Sequence, residues 1–333
     1  MITRAALVML LCAAATPARA EPPQVVLPSP LPAHELVDAG PTGRSMDRWH
    51  DRLFLGVQDF IAHTDERYVD DAATALPVPV SPFRIGLQSE FLRRADGTVD
   101  TAPRIDVDLL LKMPNLQQRL QLFITSDAVD ESPGRLGNSL YDLRAGARFS
   151  LLRSLDFDLG LRADLPPIAF ASLRWQKQWS LGGVQVEPFA KTFVETHRGV
   201  GTAYGLNIER WIDHWVLRSA SYANWRLDTR ATQWTQAFIV ARASEVIRFG
   251  RYSDVLGGRD LARGFGLEGT LTGDRYREMQ RYEVSLFAKQ PTARRWLYWQ
   301  AAVFMRWDRQ QGWHPDPGLR LSLDALFWDR ASR

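Results

Sequence analysis

The chain has 333 residues and a formal charge of +3, with 41 basic against 38 acidic side chains, a balance that excludes a polybasic nucleic-acid binder. Its one cysteine, Cys12, excludes an internal disulfide framework. Mean hydropathy is −0.24, and no apolar run beyond the N-terminus approaches the roughly 20 residues that an α-helical membrane span needs.

Residues 1–20 read as an export signal: Arg4 supplies the positive start, 5–15 an apolar stretch, and Ala18-Arg19-Ala20 a small-residue cleavage site. Cys12 follows Leu11, where a lipoprotein signal places a small residue, so no lipid is expected. Removing the signal takes away Arg4 and Arg19 and leaves a thiol-free chain near +1. Export without a membrane helix leaves the periplasm, the outer membrane or the medium. Residues 21–44 hold six prolines and read as an extended tether. Over 45–64, Ser45 can cap a helix whose apolar positions Met46, Trp49, Leu53, Val57, Phe60 and Ile61 recur every three to four residues. That stripe must be covered. It can dock on the rest of the chain, plug a lumen, lie on a lipid leaflet or bind a periplasmic protein, with Trp49, Leu53 and Phe60 as partner-helix candidates. A linker over 65–82, with Pro77, Pro79 and Pro82, follows.

From residue 83 the pattern changes to a period of two. Fourteen strands are expected, over 83–94, 104–113, 119–126, 141–151, 155–165, 170–179, 184–195, 203–211, 215–225, 233–242, 246–252, 281–290, 296–307 and 318–328. The clearest carries Leu155, Phe157, Leu159 and Leu161 on one face against Asp156, Asp158, Gly160 and Arg162 on the other. Repetition of that contrast predicts an all-β, antiparallel transmembrane barrel over 83–328, with about 14 strands (range 12–16): one face meets lipid, the other a polar lumen, and closure leaves no unpaired backbone in hydrocarbon.

Connector lengths agree with both termini lying on one side. Short turns are expected there at 114–118, 152–154, 181–183, 212–214, 243–245 and 291–295. Longer loops are expected opposite, at 127–140, 196–202, 226–232, 253–280 and 308–317. Trp179, Trp211, Trp215, Trp225, Trp234, Trp296, Trp307 and Trp328 fall at strand ends, where indole rings form interfacial girdles. The last strand, Gly318-Leu319-Arg320-Leu321-Ser322-Leu323-Asp324-Ala325-Leu326-Phe327-Trp328, is followed by a tail over 329–333.

With that ending the chain resembles bacterial outer-membrane β-barrel proteins as a class. The resemblance implies an outer-membrane location in a Gram-negative bacterium, contact with outer-membrane lipid and lipopolysaccharide, and a C-terminal signal read by the barrel-assembly machinery.

The chemistry-bearing patterns are sparse. Gly264-Phe265-Gly266-Leu267-Glu268-Gly269 matches a dinucleotide fingerprint, but it lacks the strand–helix setting that cradles a pyrophosphate, and its glycines are read as letting a long loop turn or fold inward. None of His34, His50, His63, His197, His214 and His314 stands in a nucleophile motif or at metal-ligand spacing, so no catalytic residue, metal or cofactor is assigned. Alternation sends charges of both signs inward, among them the lumen candidates Arg84, Glu90, Asp106, Asp158, Arg162 and Arg320. The reading that follows is a narrow or gated channel or transporter for a small polar or amphiphilic solute. The alternatives are a non-conducting component of an envelope-assembly or export system that uses the aromatic helix, and a hydrolase acting through His197 or His314.

Overall fold

The computed structural model describes residues 41–66, 81, 83–112, 120–126, 143–228, 231–247, 260–274, 278–294 and 296–327. The expected signal, residues 21–40 of the tether, residues 67–80 of the linker, the loop over 127–140, the turn over 114–118, Trp328 and the tail lie outside them.

The described strands are β1 (Phe83–Arg93), β2 (Val99–Lys112), β3 (Leu120–Ser126), β4 (Leu143–Leu152), β5 (Leu155–Arg162), β6 (Ile168–Gln176), β7 (Trp179–Leu181), β8 (Val184–Glu195), β9 (Gly199–Ile212), β10 (Trp215–Arg226), β11 (Ala231–Ile247), β12 (Asp260–Gly273), β13 (Met279–Pro291), β14 (Leu297–Asp308) and β15 (Pro315–Phe327). Each except β6 neighbours the next in one antiparallel sheet, β6 pairs instead with β8, and β1 pairs with β15. The ring is therefore closed. The three-residue β7 continues the place of β6 beside β8, so fourteen staves make the wall, and no spanning strand is left with an open edge.

Period-two alternation decides which side chain meets which medium. In β15 the outward set is Leu319, Leu321, Leu323, Ala325 and Phe327, and in β1 the facing partners are Phe91, Ser89, Leu87, Ile85 and Phe83. The inward set pairs Glu90 with Arg320, Gln88 with Ser322 and Gly86 with Asp324. One end of the barrel holds the start of β1 and the finish of β15 and is called the terminal end; the other is the far end. At the terminal end Gly182 and Gly183 both take positive φ, 55° and 82°, which a two-residue hairpin turn between β7 and β8 requires. Asp213-His214, with Asp213 at φ 50°, makes the equivalent turn between β9 and β10.

One stretch differs from the alternation reading. The strand expected over 246–252 does not stand alone, and the turn expected over 243–245 is absent. Instead β11 runs on through Ile247, and a bulge shifts its register beside Ala243 and Glu245. The segment read as the loop 253–280 contains β12, so the dinucleotide-like glycines sit in a spanning strand and not in a loop. Gly266 is there because space is short: a Cβ on it would lie 2.6 Å from the Ala241 Cβ and 2.8 Å from the Phe287 ring. The crossing from β11 to β12 thus falls at the terminal end, and the far-end connector shrinks to the few residues between Gly273 and Met279.

The helix α1 (Pro41–Glu66) is longer than the 45–64 expected, and it docks on the barrel. Phe54 packs with Phe83 and Phe327, joined by Leu53, Val57, Ile85, Leu109 and Ala325, and Ile61 packs with Leu111 and Leu122. His50 is sandwiched between Trp296 and Phe327, with centroids at 4.5 and 4.6 Å, and its Nε2 lies 2.9 Å from the Leu326 carbonyl oxygen. Trp296 Nε1 donates to Asp47 at 2.8 Å. Removing the central anchor by Phe54→Ala should cost about 3 kcal/mol of docking. Amide hydrogen exchange over 46–63 should then accelerate by about two orders of magnitude; unchanged exchange would show that Phe54 does not hold the helix.

Candidate functional site

The interior wall is charged, and the charges are paired across staves. Glu283 on β13, Arg306 on β14, Arg320 on β15 and Glu90 on β1 form a closed square. Arg306 contacts Glu90 at 2.7 Å and Glu283 at 2.8 Å, while Arg320 contacts Glu90 at 3.0 Å and Glu283 at 2.8 Å. Two of these edges join strands two staves apart. The Phe304 ring lies under both guanidinium groups, at 5.0 and 4.8 Å.

A second group centres on Glu195 of β8. Arg162 of β5 approaches it at 2.7 Å, Arg226 of β10 at 2.9 Å and Arg144 of β4 at 3.9 Å. Nearer the terminal end, Arg148 donates from Nε to Asp158 at 2.6 Å, and Arg218 donates from Nε to Glu209 at 2.7 Å. Lys289 pairs with Asp324 at 3.4 Å. Charge taken this far from bulk water persists only when paired and hydrogen-bonded, and the alternation places the partners within reach.

Aromatic rings fill the space between the pairs. Phe189, Phe193 and Tyr222 cluster with Ala203, and the Arg174 guanidinium lies 4.8 Å from the Phe189 centroid. Small residues opposite make this possible: a Cβ on Gly205 would lie 2.0 Å from the Phe189 ring, and one on Gly318 2.1 Å from that of Phe304. The interior is consequently tight. Glu90, Asp158, Arg162 and Arg320 are all buried, as are Glu187, Lys191 and Glu209.

Among the lumen candidates, Arg84, Glu90, Asp106, Asp158, Arg162 and Arg320 all occupy inward register positions. The structure brings Glu90 and Arg320 into one group, Arg162 into a second, and Asp158 into a separate bidentate pair. Arg218 and Arg226 were missed, although both continue the even-numbered inward set of β10. Glu268 escapes the alternation reading because the glycines of β12 read as a loop.

Two tryptophans leave the expected girdle. Trp211 turns inward, where its Nε1 donates to Glu209 at 2.6 Å. Trp296 is buried against His50. By contrast Trp179, Trp215 and Trp225 are exposed on the barrel surface. Of the partner-helix candidates, Trp49 and Phe60 are exposed, and Leu53 is partly covered by the barrel.

Outside the spanning strands, Asp96 accepts from the Thr98 hydroxyl at 2.6 Å and backbone N–H at 2.9 Å, which holds its carboxyl below the usual carboxylate range. Arg94 donates from Nε to Asp100 at 2.6 Å, and that bond raises its guanidinium pKa further. His197, at φ 66°, lies between β8 and β9, and His314 lies between β14 and β15. No group of three or more His, Cys, Asp or Glu side chains fit to hold a metal occurs among the described residues.

A closed antiparallel ring with an apolar exterior and an ionic interior defines an outer-membrane β-barrel protein, the class that Gram-negative bacteria place in their outer membrane. No family model and no curated protein matches the chain. Among solved structures it is similar to a loop-deleted form of OmpT, an outer membrane protein of Vibrio cholerae, at 10% identity and TM-score 0.42, covering 74% of this chain and 98% of that one. It is similar to Pseudomonas putida OprB at 7% identity and TM-score 0.41, covering 74% and 93%. It is also similar to Pseudomonas aeruginosa OprD at 10% identity and TM-score 0.36, covering 78% and 98%.

Proposed function

We propose that the barrel is a narrow, gated channel for a small polar or charged solute, shut in this conformation by its two far-half ion-pair groups. The observation that carries the reading is the chemistry of the filling. A barrel that needed only to be solid would be filled at least as stably by apolar side chains, since replacing buried ion pairs by packed hydrophobic residues is often neutral or stabilising. Paired charges lining all sides instead give a solute a continuous run of exchangeable polar partners. The proposed closure rests on the same contacts, since Glu195 links β5 to β10 through Arg162 and Arg226 and the square links β13 to β1.

Opening then requires exchanging intramolecular pairs for water or solute. Planar-bilayer recording should show small, infrequent openings in the unaltered chain. Glu90→Ala combined with Arg306→Ala should raise open probability or unit conductance several-fold. The helix is no part of the gate, so a chain lacking 21–76 should conduct like the full one.

One observation favours a second reading: the inward charges are largely withdrawn from solvent, as they would be in a barrel that conducts nothing and serves as a component of an envelope-assembly or export system. Silence in the unaltered chain and in the Glu90→Ala/Arg306→Ala variant alike would overturn the channel and leave that reading.

A further inference from the structure

We infer that α1 is an interfacial membrane helix, wedged between the lipid-facing wall of the barrel and the bilayer, with Met46, Trp49 and Phe60 turned to phospholipid. The inference is independent of whether the lumen conducts.

The side of the wall follows from register. Phe83 and Phe327 face each other across the β1–β15 pairing and belong to the outward set with Leu87 and Leu323. Leu109 and Leu111 of β2 share that face, since Leu109 is the register partner of Phe83. Further along the same strands this face is open, Leu87 being 50% and Leu323 38% exposed. Phe83 and Phe327, in contrast, are 3% and 0% exposed. What covers them is the helix, through Phe54, Val57 and the His50 ring stacked on Phe327. The helix is therefore on the outside of the barrel, neither under its mouth nor in its lumen.

The rotation of the helix follows from its bonds. At 3.6 residues per turn, His50, Phe54 and Ile61 form the stripe against the wall. Gln58 lies to one side of that stripe. It is fastened to Ser81 by two hydrogen bonds, Gln58 Nε2 to the Ser81 carbonyl at 2.9 Å and the Ser81 N–H to Gln58 Oε1 at 3.1 Å. Ser81 precedes the first outward residue of β1, so this flank points off the end of the wall toward water, and it carries Arg48, Asp51 and Asp59. Leu55 is its large apolar exception.

The opposite flank carries Met46, Leu53, Phe60 and Trp49. It points along the wall toward Ile85 and Ala325, which lie one outward step further into the membrane span and, like Leu53 and Val57, pack against the cluster of Phe54, Phe83 and Phe327. Without lipid, Met46, Trp49 and Phe60 are 40%, 54% and 60% exposed. That surface is continuous with the barrel's own lipid belt. Aromatic rings on one flank and Arg48 and Asp59 on the other match the depth at which amphipathic helices settle between acyl chains and headgroups.

The test uses the full chain with Cys12→Ser, which leaves no thiol. Phe60→Cys or Asp59→Cys is labelled with a nitroxide in vesicles of phosphatidylethanolamine and phosphatidylglycerol. Power saturation should find the label at 60 more accessible to dissolved oxygen than to a water-soluble nickel chelate, and the label at 59 the reverse. Met46→Cys serves as a second site if the change at 60 prevents insertion, and it should behave as the label at 60. A label at 60 that prefers the nickel chelate overturns the inference by placing that flank in water. A label shielded from both reagents overturns it by showing protein contact, and dilution with unlabelled chain then tells a second copy from a fold of the same molecule.

Discussion

Arg320→Met should be among the most damaging single changes in the barrel. It removes one corner of the square and leaves Arg306 as the remaining ion-pair corner for both Glu90, which is buried, and Glu283, which is 12% exposed. Removing one partner of a buried pair costs about 3–5 kcal/mol, because the remaining charge keeps its desolvation penalty and loses its attraction. Urea unfolding of the lipid-reconstituted barrel should show that loss. Adding Glu90→Gln to the same chain should recover part of it by removing the stranded charge. The square is refuted as a stabilising unit if Arg320→Met unfolds at the same urea concentration as the unaltered barrel.

Gly205→Val should destabilise the barrel in spite of the preference of β-branched residues for strands. The new Cβ would stand 2.0 Å from the Phe189 ring, and that ring has little room to retreat. It lies against Tyr222 at a centroid distance of 6.2 Å and under the Arg174 guanidinium. Overpacking of this kind costs about 1–3 kcal/mol. Shortening the ring in a Phe189→Leu background should make the same glycine change nearly neutral, so a double-mutant cycle should return a coupling of at least 1 kcal/mol in favour of the pair. Additive losses would mean that the ring and the glycine do not meet.

Much of the wall was legible because alternation is a direct physical consequence of a sheet between lipid and a polar interior. Leu155 to Arg162 declares its two faces in eight residues, and β15 does so with its outward leucines. The failure at β12 is instructive. Its outward set contains Phe265, Leu267 and Leu271, a valid alternation, but Gly264, Gly266 and Gly269 interrupt it, and glycine signals a turn when read locally. The role of Gly266 is the close approach of β11 and β13, which only three-dimensional packing reveals. The bulge beside Ala243 and Glu245 mimicked a turn for a related reason, since a bulge is a local break in pairing without a change of direction.

The candidate site divides the same way. That Glu90 and Arg320 point inward follows from counting residues. That Arg306 and Glu283 complete their square depends on the stagger between four strands, which no single segment encodes. The helix stripe was visible as well, but an amphipathic stripe fits any apolar surface, and the outer wall was chosen by Phe83 and Phe327 meeting at the seam.

That meeting has a consequence for biogenesis. Phe83 opens the first stave to be synthesised and Phe327 closes the last, so the cradle for Phe54 and His50 does not exist until the two extremities of the polypeptide have zipped together. Full seating of the helix therefore reports that circumferential closure is complete: a half-made cylinder offers Ile61 its place on the early hairpins but leaves His50 without either of its stacking partners.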